Sequence, residues 1–310
     1  MEEIQDNIQF QLTDQLIEKV EILVEDENDK GLKTLLNEFH HADIAEILDE
    51  LNLDDAVYVI KLLDSETTSE ILMELDEEDR EKILKNLSAK EIAEEVEELD
   101  TDDAADIISE LSEARQEAVI SQIEDEEHKA EIKELLAYDE DSAGGLMAKE
   151  LVKVYETWTV AGCVREMRRQ AENVTRVHSI YVTDKEGKLK GRLSLKDLLT
   201  ASEKTKISEI YIPKVDSVTI NTEGEEVARI MQKYDLEAIP VIDENGLLVG
   251  RITIDDIVDF IKEKDGIKNA YKKMNELRDE AFEVLNSIQS DSQYKENLRD
   301  LVNFVIDRTV

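Results

Sequence analysis

"ADIAEILDELNLDDAVYVIKLLDS", residues 42–65, is followed by two stretches of the same build, "ETTSEILMELDEEDREKILKNLSA" from Glu66 and "KEIAEEVEELDTDDAADIISELSE" from Lys90. A fainter copy, "ARQEAVISQIEDEEHKAEIKELLA", starts at Ala114, so the period is 24 residues. Leu51, Leu75, Leu99 and Ile123 fall in register, as do Leu48, Leu72, Val96 and Ile120. Inside each copy apolar residues recur at three- and four-residue spacings, as in Ile44, Ile47, Leu48 and Leu51, which marks an amphipathic helix. The first 137 residues hold no proline and one glycine, Gly31. Each unit therefore reads as two short helices, with an acidic "LDD" or "DEED" near the start of the second. Carboxylates there accept from free backbone N–H groups and favour the positive end of the helix dipole, a capping role for Asp54, Asp55, Asp79, Asp102 and Asp103. So short a unit cannot bury its apolar face alone, so neighbours must stack. Residues 1–137 are expected to form an acidic all-α superhelix.

The pattern stops at "YDEDSAGGLM", residues 138–147, beyond which the chain becomes rich in Val and Ile. "HSIYVTDKEGKLKGRLSLKDLL" and "EAIPVIDENGLLVGRITIDDIV" match across a displacement of 59 residues. Each reads strand, turn, strand, helix, with glycine supplying positive φ in the turns "DKEGK" and "DENGL". Ahead of each lies a further helix, "VAGCVREMRRQ" and "EEVARIMQKYD". Two β-α-β-β-α units, 148–204 and 205–262, thus make one α+β module. Residues 263–310 form a polar tail, expected to fold as two helices around "QSDSQ" and to pack through positions such as Leu277, Phe282, Leu285 and Leu298.

The charge balance is extreme, with 77 Asp and Glu against 37 Lys and Arg and a formal net charge of −40. Such a surface repels phosphate backbones and anionic lipids and argues against nucleic-acid binding. It suits cations, basic proteins, or simply water. A single cysteine, Cys163, excludes an internal disulfide framework and suits a reducing cytoplasm. The N-terminus lacks the basic and apolar regions of a signal peptide, and no apolar run reaches the ~18 residues of a membrane span. The four histidines, His40, His41, His128 and His178, have no metal-ligand spacing, and no nucleophile or phosphate-loop motif occurs, so an enzyme is not expected.

The duplicated module resembles a pair of cystathionine β-synthase (CBS) motifs, and the whole order resembles the cytosolic part of the MgtE magnesium channel and transporter family. Helical repeats of the "DDAADIISEL" kind, the junction Asp141-Ser142-Ala143-Gly144-Gly145-Leu146-Met147 and the CBS pair follow one another as they do there. The resemblance covers about residues 32–262. It implies a Mg²⁺ sensor on the cytoplasmic face of the membrane: Mg²⁺ between acidic faces of the helical and CBS domains closes a CBS-mediated homodimer and gates a membrane pore domain. Carried over onto this chain, the interdomain metal site falls on Asp102, Asp103 and Asp256, and Asp259 lies one helical step further on. Gly144 and Gly145 form the hinge and permit close backbone approach. Charge agrees with this, because divalent cations convert repulsion between two acidic domains into attraction.

Departures from the family bear on other expectations. Where the family has an acidic plug helix, this chain reads Lys262-Glu263-Lys264-Asp265-Gly266-Ile267-Lys268, which puts plug-side Mg²⁺ sites in doubt, and no transmembrane helices follow. The sequence is therefore either part of a longer protein or a soluble relative. CBS pairs often bind ATP or another adenine nucleotide, which here places Gly191, Ser194, Lys196, Asp197 and Thr253 at a nucleotide site. Ser179 and Leu236 stand where ATP-binding members carry aromatic residues. The alternative to a channel sensor is a soluble protein-interaction scaffold with a nucleotide-sensing CBS pair.

Overall fold

The computed structural model describes residues 10–170, 177 and 179–263, with single positions of the C-terminal tail at 274, 277, 278, 281, 282, 284, 285 and 298. Helices α1 (Asp14–Glu25) and α2 (Asp29–Leu36) lead into the repeats. These comprise α3 (His41–Glu50), α4 (Leu53–Leu62), α5 (Ser65–Glu74), α6 (Glu77–Leu84), α7 (Ala89–Val96), α8 (Thr101–Ser109), α9 (Glu113–Gln122) and α10 (Glu126–Leu135). Helices α3, α5, α7 and α9 begin at 41, 65, 89 and 113, which reproduces the 24-residue period as two helices per unit. Helix α3 packs on α5, α5 on α7 and α7 on α9, while α4 packs on α6 and α8 on α10. In these pairs a helix buries its apolar stripe against its counterpart in the next unit. Leu51, Leu75, Leu99 and Ile123, the in-register set, are all buried.

The helix caps lie earlier in each unit than the acidic pairs suggest. Asn52 Oδ1 accepts from Asp55 N (3.1 Å), and Asp76 Oδ1 accepts from Asp79 N (3.1 Å). Asp54, Asp55 and Asp79 occupy first turns instead, where they serve the dipole. C-terminal carbonyls are satisfied by side chains of later helices, Arg80 within its own unit and Arg115 and His128 from later ones. Arg80 Nη1 donates to Leu72 O and Leu75 O (both 3.3 Å), and Arg115 Nη2 donates to Leu84 O (3.0 Å) and Leu87 O (2.7 Å). His128 Nε2 lies 3.1 Å from Val96 O. These bonds complete C-terminal carbonyls that have no partner inside their own helix.

The first half of the duplicated module contains β1 (Val152–Tyr155), α11 (Val160–Gln170), β2 (Ile180–Thr183), β3 (Leu189–Leu193), α12 (Leu195–Thr200), a 3-10 turn (Ile207–Glu209) and β4 (Ile212–Pro213). Its sheet has the order β1-β2-β3-β4, with β1 parallel to β2 and the other pairs antiparallel. Val152, Val154, Ile180, Val182 and Leu193 form its core with Cys163. Burial pushes the Cys163 thiol up to about 11, which leaves it inert.

The second half repeats the order as β5 (Val218–Thr219), α13 (Gly224–Tyr234), β6 (Ala238–Ile242), β7 (Leu248–Thr253) and α14 (Ile254–Glu263). Its strands run β5-β6-β7, with β5 parallel to β6. The expected turn glycines, Gly187 (φ +86°) and Gly246 (φ +81°), occupy matching places. Asp184 Oδ1 accepts from Lys188 N and Glu186 N (both 3.0 Å), and Asp243 Oδ1 accepts from Leu247 N and Asn245 N (both 2.8 Å). Those bonds hold both carboxyls below their usual range.

Two compact units result: Met1–Thr222 with Ala238–Ile252, and Glu223–Glu237 with Thr253–Val310. In the second, α13 packs on α14 and Ile254 N donates to Glu237 O (3.0 Å). Among the described residues no helix is long and apolar enough to cross a membrane. The described positions of the tail are helical, with Phe282 and Leu285 half-buried and Leu277 and Leu298 exposed, whereas residues 289–293, the stretch 264–268 and His178 lie outside the described residues.

Candidate cation site at the start of helix α8

Helix α8 differs from its counterparts because its N-cap residue, Asp100, makes no side-chain capping bond. The chain leaving the "AGGLM" junction supplies one instead. Ala148 pairs with Arg251 through two backbone bonds, Ala148 N to Arg251 O (2.8 Å) and Arg251 N to Ala148 O (2.9 Å). The approach needs Gly250, since a Cβ there would lie 2.6 Å from Met147 Sδ and 2.8 Å from Ala148 O. Lys149 and Glu150 are thereby delivered to the helix. Lys149 N donates to Thr101 Oγ1 (2.8 Å), which donates in turn to Glu150 Oε2 (2.9 Å). Thr101 N donates to both oxygens of Glu150, at 3.2 Å each. A carboxylate from outside the repeat thus takes over the capping duty.

Arg251 closes the arrangement. Its Nε donates to Glu150 O (2.6 Å), and its Nη2 lies 3.0 Å from Asp100 Oδ2. With Asp100 released from capping, carboxylate oxygens of Asp100, Asp102 and Glu150 lie within 4.8 Å of one another. Asp102 is buried, and Asp100 and Glu150 are half-buried. Burial, followed by the charge of Asp100, raises the Glu150 carboxyl above its usual range. Glu131, on α10, is raised by burial and then by the charge of Glu150. Hard oxygen donors gathered this way suit Mg²⁺, which binds through one or two carboxylates and keeps several waters.

The residues expected from sequence are distributed as follows. Asp102 belongs to the cluster, whereas Asp103, half-buried in the same turn, lies outside that group of three. Asp256 is in the second unit, in the first turn of α14, where its Oδ2 accepts from Thr253 N (2.6 Å). Asp259 is exposed and lies 2.6 Å from Lys262 Nζ. Gly144 and Gly145 do permit close approach: Cβ atoms there would lie 2.8 Å from the Tyr138 ring and 2.5 Å from Asp139 O. The junction is also fastened, with Ala143 N donating to Thr222 O (2.7 Å) and Gly144 N to Ile220 O (2.9 Å). Asp100, Thr101, Glu150 and Arg251 were not anticipated. Asp100 alone carries a signal, because it occupies the repeat position of the caps Asn52 and Asp76.

A second cavity, of about 400 Å³, gathers three of the expected nucleotide residues, Ser194, Lys196 and Asp197, with Arg192 and Ser179. Ser194 Oγ also caps α12, accepting from Lys196 N (3.2 Å). Gly191 lies in β3 outside this lining, and Thr253 belongs to the second unit. Among the described residues the rest of the lining is aliphatic.

Residues 39–141 match the MgtE intracellular N domain, and residues 143–204 and 207–263 each match a CBS domain. A magnesium transporter MgtE from Thermus thermophilus is 47% identical over 133 residues, 43% of this chain and 30% of that protein. The chain therefore spans about a third of the length of such curated relatives. The crystal structure of the cytosolic domain of the Mg²⁺ channel MgtE in complex with ATP is 37% identical, with a TM-score of 0.74, over 79% of this chain and 99% of that one. The soluble part of a magnesium transporter is 26% identical, with a TM-score of 0.71, over 81% and 98%. Repeat, junction and CBS pair, matched along nearly the whole of a solved relative, establish that the chain belongs to the MgtE magnesium-transporter family, of which it carries the N domain and CBS pair.

Proposed function

We propose that this chain is a Mg²⁺-sensing regulatory region that works beside a membrane pore domain, at the cytoplasmic face. The carboxylates of Asp100, Asp102 and Glu150, within 4.8 Å of one another where the helical repeats meet the chain leading into the CBS pair, carry this reading. A divalent cation there neutralises charge that burial makes costly and ties α8 to the segment at Glu150. Asp103, Asp256 and Asp259 are further family-implied ligands, and closure around Mg²⁺ is the proposed gating step. Titrating the full chain with MgCl₂ at matched ionic strength, by calorimetry and small-angle scattering, tests it. Millimolar binding with compaction is expected, both weakened in Asp102→Asn, and identical scattering from zero to ~20 mM Mg²⁺ refutes the sensor.

The proposed assembly is a homodimer through the CBS pair. Both motifs expose apolar side chains at equivalent helix positions, Leu195 and Leu199 on α12, Ile254 and Val258 on α14. Adenine-nucleotide binding is a second reading, favoured by the cavity that holds Ser194, Lys196 and Asp197. Ser179 and Leu236, at positions where ATP-binding members carry aromatic residues, favour weak affinity, and ATP titration of wild type and Asp197→Ala measures it.

A further inference from the structure

Helix α7 packs against α5, and Glu95 is held in that contact with only 8% of its surface exposed. Other buried charges in the repeats are accounted for: Arg80 pairs with Glu110, and Asp102 belongs to the cluster at α8. Among the described residues Glu95 makes no ion pair. It faces Thr68 Oγ1, a hydroxyl that is itself fully buried. Thr68 Oγ1 also lies 3.0 Å from Asp64 O. One hydroxyl hydrogen cannot serve a carbonyl and a carboxylate together. A proton on Glu95 lets it donate to Thr68 while Thr68 donates to Asp64 O; without that proton Thr68 Oγ1 donates to Glu95 Oε2, and Asp64 O keeps its bond from Thr68 N (3.0 Å).

The surrounding charges favour the same state. Asp64, which caps α5, and Glu94 and Glu98, which flank Glu95 along the chain, all bear negative charge towards it. The positive group nearby is Lys61 of α4, 3.4 Å from Glu91. Lys61 and Glu91 border a cavity of about 360 Å³ that Glu95 also lines, together with Glu94 and Ser65. An ionised Glu95 has room to turn there, towards water and Lys61.

We propose that Glu95 is a proton switch in the helical repeats, neutral and bonded to Thr68 when turned inward, ionised and turned to the Lys61 cavity when the proton leaves. Burial, opposed by the hydrogen bond from Thr68 and aided by the field of Glu94, Asp64 and Glu98, pushes its carboxyl up to about 7, which sets the switch in the neutral range. Because the folded value is raised, its stabilisation is complete below the ordinary carboxyl value and is lost as pH rises through about 7. This group alone then raises the unfolding constant about tenfold between pH 6 and pH 8.

The test is a carbon-13 titration of the assigned Glu95 carboxyl in the full chain, with thermal unfolding of wild type and Glu95→Gln across pH 5.5–8.5. A carboxyl midpoint between 6 and 8 is expected, with an alkaline loss of stability that Glu95→Gln removes, since the amide keeps a donor to Thr68. A midpoint below 5, or a Glu95→Gln profile parallel to wild type, overturns the switch. Should Glu95→Gln fail to fold, the wild-type titration decides by itself.

Discussion

Arg251 Nη2 lies 3.0 Å from Asp100 Oδ2, a contact that spans 151 positions and fixes strand β7 to the residue opening helix α8. The pair is largely buried, so removing the guanidinium leaves the Asp100 charge in a desolvated place without its opposite charge. Arg251→Met is expected to lower stability by about 3 kcal/mol without divalent ions. It also removes the positive charge beside Asp100, so 10 mM Mg²⁺ should raise the melting temperature of Arg251→Met by more than that of wild type. Equal Mg²⁺ shifts in the two proteins, measured by scanning fluorimetry against matched KCl, show that guanidinium and metal do not compete for Asp100.

Glu150 serves as cap and candidate ligand, and two substitutions separate the roles. Glu150→Gln keeps an oxygen for Thr101 but lacks the charge, so stability should stay within ~1 kcal/mol of wild type while Mg²⁺ affinity falls at least fivefold. Glu150→Ala loses both, with a further cost of about 1–2 kcal/mol in stability. Chemical denaturation and Mg²⁺ titration of both variants check this, and retained Mg²⁺ affinity in Glu150→Gln removes Glu150 from the site.

The raised carboxyl of Glu150 gives Mg²⁺ binding a definite pH dependence. For folding alone, a raised acid contributes stability below its unfolded pKa and loses it as pH climbs through the folded value. Metal binding runs the other way, because the ion competes with the proton. Affinity should therefore strengthen from pH 5 to pH 7, with protons released on binding. Calorimetry in two buffers of different ionisation enthalpy counts those protons, and a count of zero at pH 5.5 contradicts the assignment.

Gly145 and Gly162 should respond in opposite senses to alanine. At Gly145 a Cβ meets Asp139 O at 2.5 Å and Glu140 Cα at 2.9 Å, both backbone, so Gly145→Ala is expected to cost about 2 kcal/mol. At Gly162, in α11, the nearest atom is Thr159 Oγ1 at 3.5 Å, so alanine should stabilise by about 0.5–1 kcal/mol through helix propensity. Urea unfolding of the two variants reads the signs directly.

The proposed dimer makes its own demand. Leu199, 78% exposed on α12, has a counterpart in Val258 on α14. Leu199→Asp combined with Val258→Asp should give a monomer in sedimentation velocity with unchanged circular dichroism. Persistence of a dimer moves the interface elsewhere.

The fold was readable in the sequence to the extent that it is periodic. The 24-residue register of Leu51, Leu75, Leu99 and Ile123 reflects one packing solution repeated, and the 59-residue match gave both halves of the second module. Helix caps were displaced because both Asn52 or Asp76 and the acids after them suit a helix start, and only geometry separates a cap from a first turn. Asp102, which the resemblance names, lies in the acidic cluster, and its pairing with Asp103 is visible along the chain. Glu150 and Arg251 were not: their roles depend on one backbone bridge, Ala148 to Arg251, that brings distant segments together with no periodic trace. Asp256 was weighted as a ligand on resemblance, and within its own unit it caps helix α14 at Thr253 N.

Arg80, Arg115 and His128, each completing carbonyls at the end of an earlier helix, bear on how such a chain can change in length. The bonds of Arg115 and His128 span units, so they survive only if the positions between their partners are conserved in number. Loss of a few residues inside a unit turns one of these side chains away from its carbonyls, whereas loss of a complete unit leaves the next one in its place. The helical arm is thus quantised, able to grow or shrink by whole turns of the repeat and by little else.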